Sequence, residues 1–302
     1  MECYQADQSF FRQIKQVMYI NGYYNFSLSF KARVLFALMQ NMAKPKIIDS
    51  HCHLDFAAFT QDRNAILTNC VAAGITDIVV PGVLANTWNN LITWAEQSID
   101  LPKVHYALGL HPIFLDRHKD EDLQTLDKLL SSNCAIAVGE IGLDFFVKTL
   151  DKTKQQYYFE QQLGLAKKYN LPVILHTRKS HDETLKQLKT QQVSGGIAHA
   201  FNGSKQQAHT YIDLGFKLGF GGMLTYTRSR KLRQLAHDLP LDSIVLETDS
   251  PDMTVEQHRG ERNSPEYLPY VLTALAEIRS ESIEQIAEQT SHNTKTVLAL
   301  PN

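Results

Sequence analysis

From Lys46 onward the chain alternates short runs of apolar, mostly β-branched residues with longer stretches whose apolar positions recur every three or four residues. The runs are Ile47–Ile48, Asp77–Val80, Val104–Leu108, Ile136–Val138, Val173–Leu175, Ile197–Ala198, Lys217–Phe220 and Ile244–Leu246. Stretches between them, such as Thr153–Tyr169 and Ser204–Leu214, have helical spacing. Runs that are apolar throughout, rather than at alternate positions, imply strands covered on both faces, as in a parallel sheet layered with helices. Eight strand-then-helix units in roughly 250 residues is the arithmetic of an α/β fold of the (β/α)8 TIM barrel type. An open doubly wound sheet is the structural competitor, because strand number alone does not prove closure. After the last run, Pro265–Arg279 and Ile283–Glu288 read as closing helices, with a third near His292–Leu300.

The segment before this rhythm is different. Phe10, Phe11, Tyr19, Tyr23, Tyr24, Phe26 and Phe30 crowd it without turn punctuation, and it lacks the pattern of a secretory signal. Residues 29–42 have amphipathic helical spacing. The expected organisation is an accessory extension over residues 1–44 and one catalytic domain over 45–302. The extension also fits upstream read-through, with Met42 as the original start.

Composition narrows the function classes. Hydrophobic residues make up 43% and charged residues 21%, as in a soluble globular chain. With Lys+Arg 30 against Asp+Glu 32, no global basic field exists to gather nucleic acid, so any phosphate contact is local. Cys3, Cys52, Cys70 and Cys134 are widely spaced and form no CxxC pair, which argues against a disulfide framework or thiolate zinc knuckle and suits a reducing cytoplasm. No stretch suggests a membrane span, and nothing points to an obligate protein partner.

The chemistry gathers at the ends of the runs. His51 and His53 follow the first, and alternate strand side chains share a face, so both rings aim the same way. The fourth leads into Gly139-Glu140-Ile141-Gly142-Leu143-Asp144, the fifth ends in His176, the sixth in His199 and the eighth in Glu247-Thr248-Asp249. In a barrel these ends converge on one rim. Four imidazoles and two or three carboxylates there would hold one or two cations. On this reading Glu140 bridges two divalent ions, His51 and His53 complete one site with Asp249, and His176 and His199 hold the other. Such a pair lowers the pKa of a shared water and supplies metal-bound hydroxide. Asp249 is the candidate general base, and Glu247 either joins the catalytic site or is a charge-paired structural carboxylate. Oxygen-rich phosphate chemistry suits Mg²⁺ or Mn²⁺, whereas four imidazoles favour Zn²⁺ or Mn²⁺. Arg178, Lys179, Arg228, Arg230, Arg259 and Arg262 follow strands on the same rim and are candidate phosphate contacts. The remaining histidines, including His118, His181 and His258, read as surface or structural, and Cys52 as packed.

Six segments in register carry a family resemblance: His51-Cys52-His53-Leu54-Asp55, Gly109-Leu110-His111-Pro112, Gly139–Asp144, Leu171–His176, His199–Ser204 and Glu247–Pro251. Together they closely resemble the TatD family of metal-dependent deoxyribonucleases in the amidohydrolase superfamily. The resemblance implies a TIM barrel, two divalent ions and phosphodiester hydrolysis, typically 3′-to-5′ exonuclease action on DNA ends or single-stranded DNA. Carried over by position, it makes His51, His53, Glu140, His176, His199 and Asp249 the ligands. It also implies that His111 faces the site, although by its own position His111 reads equally as a capping or ligand-supporting residue. Ser250-Pro251-Asp252-Met253 and Asn202 depart from the commoner family pattern at the rim, where substrate preference is set. The same site could instead cleave an amide, ester or aminoacyl-tRNA bond, and a non-enzymatic metal scaffold is the third reading.

Overall fold

The computed structural model describes residues 44–98, 102–132 and 135–301, which belong to one compact unit beginning at Lys44. The extension, including the helix expected over residues 29–42, lies outside the described residues.

Eight parallel strands alternate with helices: β1 Ile47–Asp49, α1 Arg63–Ala73, β2 Ile75–Pro81, α2 Ala85–Gln97, β3 Lys103–Ala107, α3 Asp120–Leu130, β4 Val138–Asp144, α4 Lys152–Tyr169 and β5 Val173–Arg178. The order continues with α5 His181–Gln191, β6 Gly196–Ala198, α6 Lys205–Asp213, β7 Phe216–Phe220, α7 Arg230–Asp238 and β8 Ile244–Leu246. Two helices follow, α8 Leu268–Ile278 and α9 Ile283–Val297. β4 and β8 are buried at every position, which explains their unbroken apolar character. Some of the helices start where the sequence supplies a side-chain cap. Asp151 accepts from Lys154 N at the start of α4, and Ser204 with Gln207, and Ser282 with Gln285, form capping boxes on α6 and α9.

Regular ladders join β1 to β3 and β4 to β8. Leu108 N donates to Ala137 O and Gly139 N to Leu108 O, which links the end of β3 to β4. On the other side Ser50 N donates to Leu246 O and Asp249 N to His51 O, which links β8 back to β1. Asp49 reinforces this seam by accepting from Thr248 N at 3.0 Å and Thr248 Oγ1 at 2.6 Å. The result is a closed TIM barrel.

Two expectations need adjustment. The fourth strand runs to Asp144, so Glu140 lies within it rather than beyond its end. The helices expected at Ile283–Glu288 and near His292–Leu300 are instead one helix, α9, through Val297. Leu298 and Leu300 then pack with Val79, Ala107, Ala137, Ile174, Ile197 and Val245 in a cluster separate from the main core. Strand side chains alternate faces, so these strand positions form one set while neighbours such as Ile78, Val80, Leu175 and Leu246 join the larger cluster with the helices. The apolar end of the chain therefore serves as packing material for the strands and not as another helix.

Candidate metal centre

The chain turns after β1 so that both following imidazoles are buried, with their Nε2 atoms 3.3 Å apart. Glu140 Oε2 lies 3.2 Å from His51 Nε2 and 3.3 Å from His53 Nε2. Asp249 Oδ1 lies 3.6 and 3.7 Å from the same nitrogens. An ion with ligands at 2.0–2.2 Å in a tetrahedron holds neighbouring donors about 3.3–3.6 Å apart. The four atoms therefore fit one cation. Glu140 Oε2 is buried and accepts no hydrogen bond among the described residues, although two ring nitrogens face it. An orphaned carboxylate oxygen is costly in a protein interior and is satisfied by a cation.

The other oxygen of the same carboxylate faces a second set. Glu140 Oε1 is 3.1 Å from His176 Nδ1, 3.4 Å from His199 Nε2 and 3.2 Å from His111 Nε2. Gly142 makes room for the close parallel pairing of β4 with β5. Its φ is +148°, and a Cβ there would lie 1.9 Å from His176 O. Burial alone would raise the Glu140 pKa, but His111, His51 and His199 outweigh it and hold the group well below the usual carboxylate range. Asp249 behaves differently. Burial pushes it up to about 6, against the pull of His199 and His53. Its φ of +57° is a left-handed conformation that Asp tolerates better than most residues.

Two acids hold the rings from behind. Asp144 Oδ2 lies 3.1 Å from His176 Nε2, while Asp144 Oδ1 accepts from Phe146 N and Val147 N. Glu247 Oε1 accepts from Ala200 N at 2.6 Å and lies 3.4 Å from His199 Nδ1. Carboxylates bonded to the outer nitrogen of an imidazole fix its tautomer and orientation. Glu247 thus lies against the back of His199.

His111 both caps the turn after β3 and faces the site. Its Nδ1 accepts from Ile113 N at 3.0 Å, so the neutral ring carries its proton on Nε2, beside Glu140 Oε1. Burial pulls its pKa down to about 4, which keeps it neutral near pH 7. It is therefore a hydrogen-bond donor to the shared carboxylate. His118 is buried beneath it and donates from Nε2 to His111 O at 2.8 Å.

The rim cations are not equivalent. Arg178 is exposed with its guanidinium 3.9 Å from the centre of the Phe146 ring, and Arg228 is exposed 5.1 Å from that of Tyr226. Arg262 is already engaged, paired with Asp62 at 2.5 Å and lying over Phe59.

A family model described as TatD related DNase matches residues 48–299. The chain belongs to the TatD family. An uncharacterized metal-dependent hydrolase of Escherichia coli K12, YjjV, is 40% identical over 259 residues, spanning 85% of this chain and 99% of that protein. The crystal structure of YjjV, a TatD homologue, superposes with a TM-score of 0.81 and covers 84% of this chain and 98% of that one. A protein of Pantoea ananatis named 3′-5′ ssDNA/RNA exonuclease TatD is 27% identical over 266 residues, spanning 84% of this chain and all of that protein. As a TatD protein this chain is a metal-dependent hydrolase, and its His, Asp and Glu clusters are able to hold metal.

Sequence reasoning did not single out Asp144 as a supporting acid in this TatD barrel. The signal was available, because residues 140, 142 and 144 are spaced by two along one strand and share a face. No comparable spacing flags the Asp49–Thr248 bonds, which join positions 199 residues apart.

Proposed function

We propose that this TatD-family hydrolase is a two-metal 3′-5′ exodeoxyribonuclease that removes nucleotides from single-stranded DNA ends in the cytoplasm. The observation that carries the reading is the Glu140 carboxylate, whose two oxygens each face a separate group of imidazoles. Support comes from the description of the matching family model and from the name of the Pantoea relative. The buried free thiols of Cys52 and Cys70 suit a reducing compartment.

In this reading His51, His53 and Asp249 would hold one divalent ion, His176 and His199 would hold the other, and Glu140 would offer an oxygen to each. Mg²⁺, Mn²⁺ and Zn²⁺ are the candidate metals. When bound, such a pair polarises a phosphoryl oxygen and makes a nearby water more acidic. Asp249, whose carboxylate lies beside the His51 and His53 nitrogens, takes the proton of the attacking water. Water oxygen bonds to phosphorus as the P–O3′ bond breaks, the terminal nucleoside 5′-phosphate departs, and O3′ of the shortened strand takes up a proton to leave as the 3′-hydroxyl. His111 keeps Glu140 ionised and fixed by donating from Nε2. Glu247 and Asp144 hold His199 and His176 in place. Arg178 and Arg228 are free to meet phosphates, whereas Arg262 contributes by bracing its loop against Asp62 unless DNA displaces that pair.

A 5′-labelled single strand incubated with metal-loaded protein tests this directly. Stepwise shortening from the 3′ end is expected, with loss on chelation and recovery on adding Mn²⁺ or Zn²⁺. Cleavage of an ester or aminoacyl-tRNA, with DNA left intact under the same loading, would overturn it.

A further inference from the structure

Beside the donor sets, among the segments that follow β1, β2 and β3, is a cavity of about 470 Å³. Its walls are largely apolar, with Phe56 after β1, Leu84 and Trp94 at and within α2, and Phe114 after β3. Two of these rings also touch the metal centre. Phe56 stacks on His53 with centroids 4.7 Å apart and planes 15° apart, and Phe114 meets His111 at 5.9 Å. The cavity thus adjoins two of the histidines of the candidate metal centre.

It also holds an unmet polar group. Asp55 lines the cavity, and its Oδ1 is buried without a hydrogen-bond partner among the described residues. An acceptor left unpaired in a mainly apolar recess is a recognition element for a donor brought by a ligand. At the mouth Arg117 is exposed, its guanidinium 5.9 Å from the centre of the Phe114 ring.

Aromatic walls at Phe56 and Phe114, a Trp94 ring with the Arg63 guanidinium 5.1 Å from its centre, one unbonded acceptor and a second cation at Arg117 match one nucleotide. The base has two π faces for stacking, each of the four DNA bases carries an N–H for the acceptor, and the phosphate meets Arg117. The volume lies in the range of small-ligand pockets. We propose that this cavity receives the base of the terminal nucleotide and so sets the register of cleavage one residue from the end. This rests on the nuclease reading above. The stacking makes it tolerant of sequence, because every base has a face to offer.

The test compares two 5′-labelled oligonucleotides, identical except that one ends in an abasic 3′ residue. With metal-loaded wild-type protein the normal end is expected to be removed about 10-fold faster by kcat/KM, as for one stacked base. In Phe114→Ala, and in Phe114→Leu, which keeps bulk without a flat ring, that ratio is expected to fall toward 1. A ratio near 1 in the wild type, or one unchanged in both variants, would overturn the proposal. A second measurement needs no turnover. Titration with deoxycytidine monophosphate is expected to change the fluorescence of Trp94 saturably, with the signal absent from Trp94→Phe and weakened in Phe114→Leu. Nucleotide binding of this kind without DNA cleavage would defeat the nuclease reading and leave the pocket standing. DNA cleavage with no base dependence and no such titration would do the reverse.

Discussion

At the scale of single residues, the site depends on giving chemically similar groups different surroundings. Glu140, buried, and Asp249, partly exposed, are both carboxylates within reach of His51 and His53, yet one is held strongly acidic while the other rises to about 6. In the proposed reaction the first is the acid that faces both donor sets and the second the one that takes the proton of water. Asp249→Asn keeps the shape and removes the basic oxygen. Turnover is expected to fall by about 10²–10⁴-fold, with the circular dichroism spectrum unchanged and metal still detected by elemental analysis. The ligand candidates were legible in the sequence because each stands at or near the end of an apolar run. The tautomer of His111 was not, since it follows from a backbone N–H at Ile113 that only the folded turn brings near.

At the scale of elements, neighbouring strands make room for one another's functional groups. Gly219 on β7 lies against Glu247 at the end of β8, and a Cβ at Gly219 would come within 2.1 Å of Glu247 Oε2. Gly219→Ala therefore forces the carboxylate away from Ala200 N and His199. The expected result is a loss of about 1–3 kcal/mol in urea unfolding and about 10–100-fold weaker metal binding by competition with a chelator. Normal metal affinity would show that Glu247 is not what holds His199. A second strand pair gives a pH effect outside the donor sets. Burial by itself would raise Asp77 on β2, but the bond from His105 on β3 at 2.8 Å and that from Thr76, with Lys295 nearby, hold it below its ordinary 3.8. The folded state therefore favours the ionised form. Its contribution is fully present above about pH 4 and is lost as pH falls through the lower folded value. Denaturant titrations are expected to show wild-type stability falling more steeply than that of Asp77→Asn below pH 4, with parallel slopes above it. The strands themselves were readable from their continuous apolar runs. Their ends were less so, as β4 shows, because Gly139, Glu140 and Gly142 interrupt the apolar pattern for reasons of chemistry and close packing.

At the scale of the whole molecule, two apolar clusters hold the barrel, and the end of the chain completes one of them. Leu298 is 2% exposed and packs with residues of β2, β3, β5, β6 and β8. Leu298→Ala is expected to cost about 2–5 kcal/mol in denaturant unfolding while metal content per folded chain stays the same, which separates the stability of the barrel from the chemistry at its rim. Repeated strand-helix units made the architecture legible, but the packing role of Leu298–Leu300 was not, because a short apolar tail has the same pattern as a final helical turn. Closure has a further consequence for biosynthesis. His51 and His53 emerge from the ribosome almost two hundred residues before Asp249, and the strand that carries Asp249 to them is the last of the eight to be made. Until translation has passed that point, His51 and His53 lack the Asp249 carboxylate that faces them in the folded chain, so this four-donor cluster forms only after the eighth strand has been made.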